Sequence, residues 1–377
     1  SAPALRFPGF TEPWQKCRLG DYIRIFSGES PNRINSEYDK IPYYKVEQLN
    51  WCEKYLGETP YLSQRGKNIL PEGCVVFSKR GAAILTNKVR MNLFPINIDT
   101  NLMGIKADNS FILDQYLFYF ILRARLNRIA DTSTIPQINN IHINPITIYV
   151  PSLAEQEIIT KFLALLDERI ATQRRLIEDL EKLMSSIVDR IFSDVDGEVV
   201  KFRDILEIST QRNDGKADYR ILSASQEFGM IERDSLDIDI KAEAKSVKMY
   251  KRVHPGDYVL HLRSFQGGLA FAEVEGICSP AYTILRPNKR LEYGYLKEYF
   301  NSSKFIKSLV LVTYGIRDGR SINVEEFLDM NISIHHKNKQ AEIVKSLSML
   351  SDKLNVEASI LNRYEQQRAY LLSNLFI

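Results

Sequence analysis

The chain has 377 residues, 44% hydrophobic and 26% charged, with a formal net charge of +3. That length exceeds one ordinary domain and suits two or three, and the composition is that of a soluble globular protein. No apolar run approaches the roughly 18 to 20 residues of a membrane span, and the Ser1 start with prolines following gives no secretory leader to expect.

In chain order, Leu5–Phe10 (LRFPGF) is a lead-in broken by Pro and Gly. Lys16–Ser27 alternates like a short helix or strand entering a first globular part. Between Tyr43 and Ile105, short β-type runs at Val75–Phe77 and Ala82–Leu85 are separated by Pro71-Glu72-Gly73 and Asn87. Asp114–Ile129 has the spacing of an amphipathic helix through Tyr116, Leu117, Phe120, Ile121 and Leu126. A polar stretch over 131–140 then leads to a strand at Ile146–Val150.

The longest signal follows, in Pro151–Phe192, which contains no further Pro and no Gly. Ser152 with Glu155 three residues on is a capping-box pattern. Ile159, Phe162, Leu166, Ile170, Ile177, Leu180, Met184, Ile187 and Ile191 draw one stripe, with Gln173 its polar interruption. A helix over Ser152–Phe192 would be a rod about 60 Å long, which needs a second long helix to cover its stripe.

Beyond the breaker Gly197, strands are expected at Asp257–Leu262 and Ala281–Leu285 and a helix over Tyr295–Leu309. A polar stretch over 313–323 and a strand at Met330–Ile334 follow. Lys339–Ile377 then carries a second stripe: Ile343, Leu347, Leu350, Leu354, Leu361, Tyr364, Leu371 and Leu375. An offset of 184 sets Gln156 on Gln340, Ile159 on Ile343 and Ile138-Asn139 on Ile322-Asn323. An offset of 183 sets Gly73-Cys74-Val75-Val76 on Gly256-Asp257-Tyr258-Val259. One unit of about 180 residues is therefore written twice, each copy a mixed α/β head followed by a rod.

Catalytic signals are missing. There is no G-x-G-x-x-G, P-loop, G-x-S-x-G or H-E-x-x-H, and no Asn- or Asp-Pro-Pro-aromatic tetrapeptide of an adenine methyltransferase. Asp237 or Asp239 with Glu243 and Lys245 is the nearest nuclease-like set, a pattern that recurs by chance in charged loops. Cys17, Cys52, Cys74 and Cys278 form no paired spacing, and His335-His336 lacks further ligands, so no metal is expected and a reducing cytoplasm is the expected setting.

Recognition chemistry is better represented. Arg65, Lys67, Lys79, Arg80, Lys88 and Arg90 face one acid, Glu72, between Tyr61 and Met91, while the rods mix signs. Basic heads on mixed-charge rods fit a polyanion partner. Cations for phosphates and polar side chains for base edges occur in loops at related places. The first head offers Lys79, Arg80, Ser133, Thr134, Gln137 and Asn139; the second offers His261, Arg263, Ser264, Gln266, Tyr314, Arg317, Arg320 and Asn323.

Val150–Gln156 (VPSLAEQ) running into the rod, with the lead-in, the C-terminal near-copy and the total length, resembles the specificity subunit of a Type I restriction-modification system. The resemblance implies an α/β (α+β) fold with an internal pseudo-two-fold repeat, in which two target-recognition domains are joined by two long antiparallel helices forming a coiled coil. The segments would be a first recognition domain at 1–150, a helix at 151–193, a second recognition domain at 194–335 and a helix at 336–377. It implies a non-catalytic subunit whose domains each read half of an asymmetric bipartite target in double-stranded DNA. The helices would set the spacing and dock two methyltransferase subunits, with Pro151, Glu155, Gln156 and Gln340 as the docking residues. Restriction-translocation subunits would complete the complex; S-adenosylmethionine, ATP and magnesium would belong to those other chains and no cofactor to this one. The second copy departs from the pattern, with His335-His336-Lys337-Asn338-Lys339 replacing Pro151–Glu155, so docking sites of unequal strength are expected. The alternative is a helical scaffold whose heads bind protein instead of DNA; binding indifferent to salt would favour it.

Overall fold

The two apolar stripes form two helices, Leu153–Ile191 of 39 residues and Lys337–Asn374 of 38. They belong to a computed structural model of the chain that describes residues 2–30, 40–64, 68–132, 135–193, 195–215, 219–225, 228–233, 247–261, 264–314 and 321–377. Two compact units share the helices: residues 1–175 with 359–377, and residues 176–358.

In the first unit a four-stranded antiparallel sheet runs in the order Ile23–Ser27, Leu102–Ala107, Val75–Ser78, Val89–Met91. In the second unit the order Leu206–Ser209, Thr283–Pro287, Tyr258–Leu260, Ala270–Phe271 repeats it. Gly73 and Gly256 precede the corresponding strands with φ of +77 and +95, a region open to glycine and strained for other residues. The strand entering each head also pairs antiparallel with the strand leaving it: Gln15–Arg18 with Thr147–Val150, and Gly197–Lys201 with Asn331–His335. The internal repeat read from the sequence is thus a repeat of topology.

Each unit covers its own length of both rods. In the first, the helix Asp114–Ala124 buries Tyr116, Leu117 and Tyr119 in one core with Ile159, Leu163, Leu166 and Ile170 of the first rod and Leu371, Leu375 and Phe376 beyond and along the second. Asp167 pairs with Arg368 at 2.6 Å and Arg174 with Glu365 at 2.5 Å, so the rods run antiparallel there. In the second unit Met184 and Val188 share a core with Ile343 and Leu347. Burying each stripe against the other is what makes helices of this length stable, at about 25 cal/mol per Å² of apolar surface removed from water.

Four local expectations need correction. Ala82–Leu85 is no strand but part of a 3-10 helix, Ala82–Thr86, because Gly81 at φ +84 turns the chain and Ile84 alone reaches full burial while Leu85 stays 59% exposed. The helix expected over Asp114–Ile129 stops at Ala124, where Arg125 adopts φ +51. The helix expected over Tyr295–Leu309 is broken into Lys297–Phe300 and Ser303–Ser308, with the Ser302 hydroxyl capping the Phe305 N–H at 3.2 Å. In the first rod the seam takes Leu163 and Val188, while Phe162 lies outside it, edge-on to Phe7 at 5.6 Å.

Candidate nucleic-acid interface

In the first head the polar loops come together through the backbone. Lys79 ends the buried strand Val75–Ser78; its N–H donates to the Asn101 carbonyl at 2.8 Å and its carbonyl accepts from the Ile138 N–H at 2.8 Å. The Gly81 N–H donates to the Pro136 carbonyl at 2.8 Å, and Arg80 bridges Gln137. Gln137 and Asp131 exchange two further bonds of 2.9 Å, and Ile138 is fully buried beneath them. One inward isoleucine therefore pins a platform on which Arg80 and Asn139 are exposed and Lys79 and Gln137 half-buried. Burial pulls the Lys79 ammonium below the ordinary lysine range, partly offset by Asp99. Ser133 and Thr134 lie outside the described residues.

The second head repeats the pairing within its own polar stretch at related positions. Thr313–Tyr314 pairs with Ser321–Ile322 as Asp131 pairs with Gln137, and the Asn323 N–H donates to the Val312 carbonyl at 2.8 Å. Tyr314 is 55% exposed, its hydroxyl donating to Glu326 at 2.7 Å, which raises its pKa. Gln266 is exposed on the one-turn helix Ser264–Gly267, and His261 is half-buried, its ring 6.1 Å from that of Tyr282. Two expected readers have local duties instead. Ser264 is buried and its hydroxyl accepts the His261 N–H at 2.9 Å; the Asn323 carboxamide caps the helix Val324–Asp329 through the N–H groups of Glu325 and Glu326. Asn323 is a cap position, where a short polar side chain satisfies orphan backbone donors, and Ser264 ties the start of its helix back to the loop before it. Arg263, Arg317 and Arg320, like Asp237, Asp239, Glu243 and Lys245, lie outside the described residues.

The expected docking residues turn inward. Pro151, Glu155, Gln156 and Gln340 are all buried, so as they stand they fasten rod to head and present no side chain to a partner. The Ser152 hydroxyl accepts the Glu155 N–H at 3.3 Å, half of a capping box. The returning half is lost because Arg6 takes both Glu155 oxygens at 2.8 Å and the Trp14 indole N–H donates to one at 3.2 Å. Arg6 and Trp14 were not legible as partners of a residue some 140 to 150 positions away. Gln156 accepts from the Leu113 N–H at 2.8 Å and donates to the carbonyls of Phe111 and Pro151 at 2.9 and 3.0 Å. In the second copy, where Lys337 pairs with Glu292 at 3.2 Å, the Tyr295 hydroxyl meets His335 Nδ1 at 2.7 Å.

Among the described residues no group of three or more His, Cys, Asp or Glu is placed to hold a metal, and no helix is long and apolar enough to cross a membrane. The first platform offers hydrogen bonding and positive charge on loops held by a sheet, and the described residues of the second offer hydrogen bonding.

Known proteins share this plan. Residues 11–182 match the family model of the Type I restriction modification DNA specificity domain. A putative type I restriction enzyme MjaX specificity subunit from Methanocaldococcus jannaschii is 23% identical over 188 residues, 48% of this chain and 43% of that protein. The MjaVIII specificity subunit of the same organism is 25% identical over 232 residues, 55% of this chain and 51% of that protein. The chain thus spans about half the length of the curated relatives it matches. The crystal structure of a Type I restriction-modification S subunit from M. genitalium matches 100% of this chain and 99% of its own, with a TM-score of 0.58 at 14% identity. A chain from a structure addressing assembly and conformational transition of the type I R-M system matches 97% of this chain and 98% of its own, with a TM-score of 0.59 at 18% identity. In sequence over residues 11–182 the chain is similar to the type I restriction modification DNA specificity domain, and over its whole length it shares the fold of solved type I restriction-modification S subunit structures.

Proposed function

We propose that this chain is the non-catalytic DNA sequence-specificity subunit of a type I restriction-modification enzyme. Each head reads one half of an asymmetric bipartite target in double-stranded DNA, and the rods set the separation of the halves. The reading rests on one observation above the others: both copies close the polar stretch ahead of the head's last strand by backbone pairing at related positions, Asp131 with Gln137 and Tyr314 with Ser321, yet furnish it with different side chains. Equal scaffolds with unequal surfaces are what two unlike half-sites require.

Two methyltransferase subunits dock on the rods, whose exposed apolar side chains include Leu153, Ile158 and Leu165, and restriction-translocation subunits join them. S-adenosylmethionine, ATP and magnesium are held by those other chains, and the complex works in the cytoplasm. The buried Glu155 and Gln156 serve docking only indirectly, by fixing where the first rod starts.

Exchanging residues 20–150 for those of another specificity subunit and mapping methylated sites in the presence of the methyltransferase tests the reading. One half of the target should change while the other half and the spacer stay. A target indifferent to the exchange, or binding indifferent to salt, would transfer the chain to the scaffold class.

A further inference from the structure

A cleft of about 420 Å³ opens within the first unit, between the head and the lengths of both rods that belong to that unit. Seven cations and three carboxylates line it. The carboxylates are already matched: Arg174 takes Glu53 and Glu365, and Arg368 takes Asp167. Lys54, Lys88, Arg90, Arg123 and Arg125 also line it, and none of them forms an ion pair among the described residues. Lys54 bonds the Tyr119 hydroxyl at 2.9 Å and Lys88 the Asn50 carboxamide, both neutral acceptors, while Arg123 donates to the Ile377 backbone oxygen at 3.0 Å. The cleft therefore carries a surplus of positive charge, with Arg125 exposed at its mouth, and a counter-charge there would be favourable.

The backbone makes an independent case. Asn87 and Arg125, with φ of 47 and 51, are the non-glycine residues of positive φ among the described residues, and both line this cleft. The Asn87 carboxamide donates to the Leu122 carbonyl at 2.9 Å and accepts from the Leu126 N–H at 3.3 Å, holding the turn that carries Arg125. Such conformations persist where the surroundings impose them, and they gather at binding sites. The second copy repeats the feature only in part: the offset of 184 sets the buried Leu309 on Arg125 and Lys307 on Arg123, and the register of the paired strands sets Gly268 on Lys88. General needs of the fold therefore do not explain Lys88 and Arg125.

We propose that this cleft is an oxyanion site that seats a phosphate group through Lys88, Arg123 and Arg125. The inference rests on the DNA-reading role and deepens it, because the 3-10 helix Ala82–Thr86 leads straight from the Lys79–Gly81 platform to Asn87 and Lys88. The phosphate comes from the duplex backbone beside the first half-site or from free phosphate. Arginine forks match either source, and the carboxylates at the rods are already neutralised.

The full chain should be titrated with inorganic phosphate and with duplex DNA over a salt series, as wild type and as Arg125→Gln, Lys88→Gln and the control Lys307→Gln. In the wild type, phosphate should raise the melting temperature, and the first two variants should lose that response. If the duplex supplies the phosphate, each of those variants lowers the slope of log affinity against log salt by about 0.9, the value for one lost phosphate contact. Lys307→Gln should change neither readout. Loss of the phosphate response with an unchanged duplex slope identifies free phosphate as the occupant. Variants that melt, take up phosphate and bind duplex like the wild type overturn the site. A wild type that binds no duplex defeats the DNA-reading role instead, and the phosphate titration still judges the cleft.

Discussion

Gln156 and Gln340 stand 184 positions apart and make the same three hydrogen bonds. Each side-chain oxygen accepts a backbone N–H at 2.8 Å, from Leu113 in one copy and Glu292 in the other. Each side-chain nitrogen donates to the carbonyl two residues before that donor, Phe111 or Arg290, and to the carbonyl five residues before the glutamine, Pro151 or His335. Both glutamines are essentially fully buried. Of the motif at the start of the rod, this side chain survives in both copies because it closes the corner between head and helix.

Gln156→Leu and Gln340→Leu should each destabilise the unit that holds them. Each substitution strands one buried N–H and leaves two carbonyls short of a donor, and an unsatisfied buried group costs about 1–3 kcal/mol. Urea denaturation followed by hydrogen exchange would read the two units separately. Costs of similar size are expected; a silent Gln340→Leu beside a damaging Gln156→Leu would refute the equivalence.

Arg6 and Glu155 give a test by rank order. The Glu155 side chain is only 2% exposed, and removing Arg6 alone leaves a buried carboxylate with the Trp14 indole as its remaining side-chain donor. Removing one partner of such a pair harms more than removing both. Thermal unfolding should rank Arg6→Met below Arg6→Met/Glu155→Leu in stability. The reverse order would show that the pair is a surface ornament.

Much of this was legible because periodicity and self-similarity are local or exact-offset signals. The stripes found the rods, and Ile138 against Ile322 marked the paired polar stretches. What stayed hidden depends on the third dimension. Leu163 replaces Phe162 in the seam because Phe7, far off in sequence, covers Phe162 from the side. Arg125 ends its helix early through an Asn87 carboxamide 35 residues from the carbonyl it holds, and no propensity announces that. Ser264 and Asn323 have the chemistry of base readers, yet nearby backbone N–H groups claim their side chains.

The junction at His335 should be sensitive to acid. Burial first, then Lys339, hold the His335 imidazole below its ordinary pKa of 6.5, against an opposing pull from Asp196. The neutral ring accepts from the Tyr295 hydroxyl at 2.7 Å and sits edge-on to Phe192 at 6.3 Å. With the folded pKa depressed, the unfolded chain binds the proton more readily, so this contribution is complete above about pH 6.5 and declines as pH falls through the folded value. Unfolding of the second unit should shift to lower urea as pH drops from about 7.5 to 5, and His335→Gln should flatten that dependence. An undiminished slope in the variant would place the titration elsewhere.

Arg80 and Tyr314 should separate the halves of the target. Arg80 is exposed, forms no ion pair among the described residues, and is held by the backbone bridge to Gln137. Tyr314 occupies the corresponding platform in the second copy, where its hydroxyl is engaged by Glu326. If Arg80 meets a phosphate, Arg80→Ala weakens all duplexes alike and lowers the salt slope by about 1; if it meets a base, it costs about 1–3 kcal/mol and relaxes one position of one half-site. Tyr314→Ala should act on the other half only, since its platform belongs to the other unit. Anisotropy titrations on duplexes altered in one half at a time would read both. Relaxation of both halves by either single substitution would contradict a division of reading between two heads.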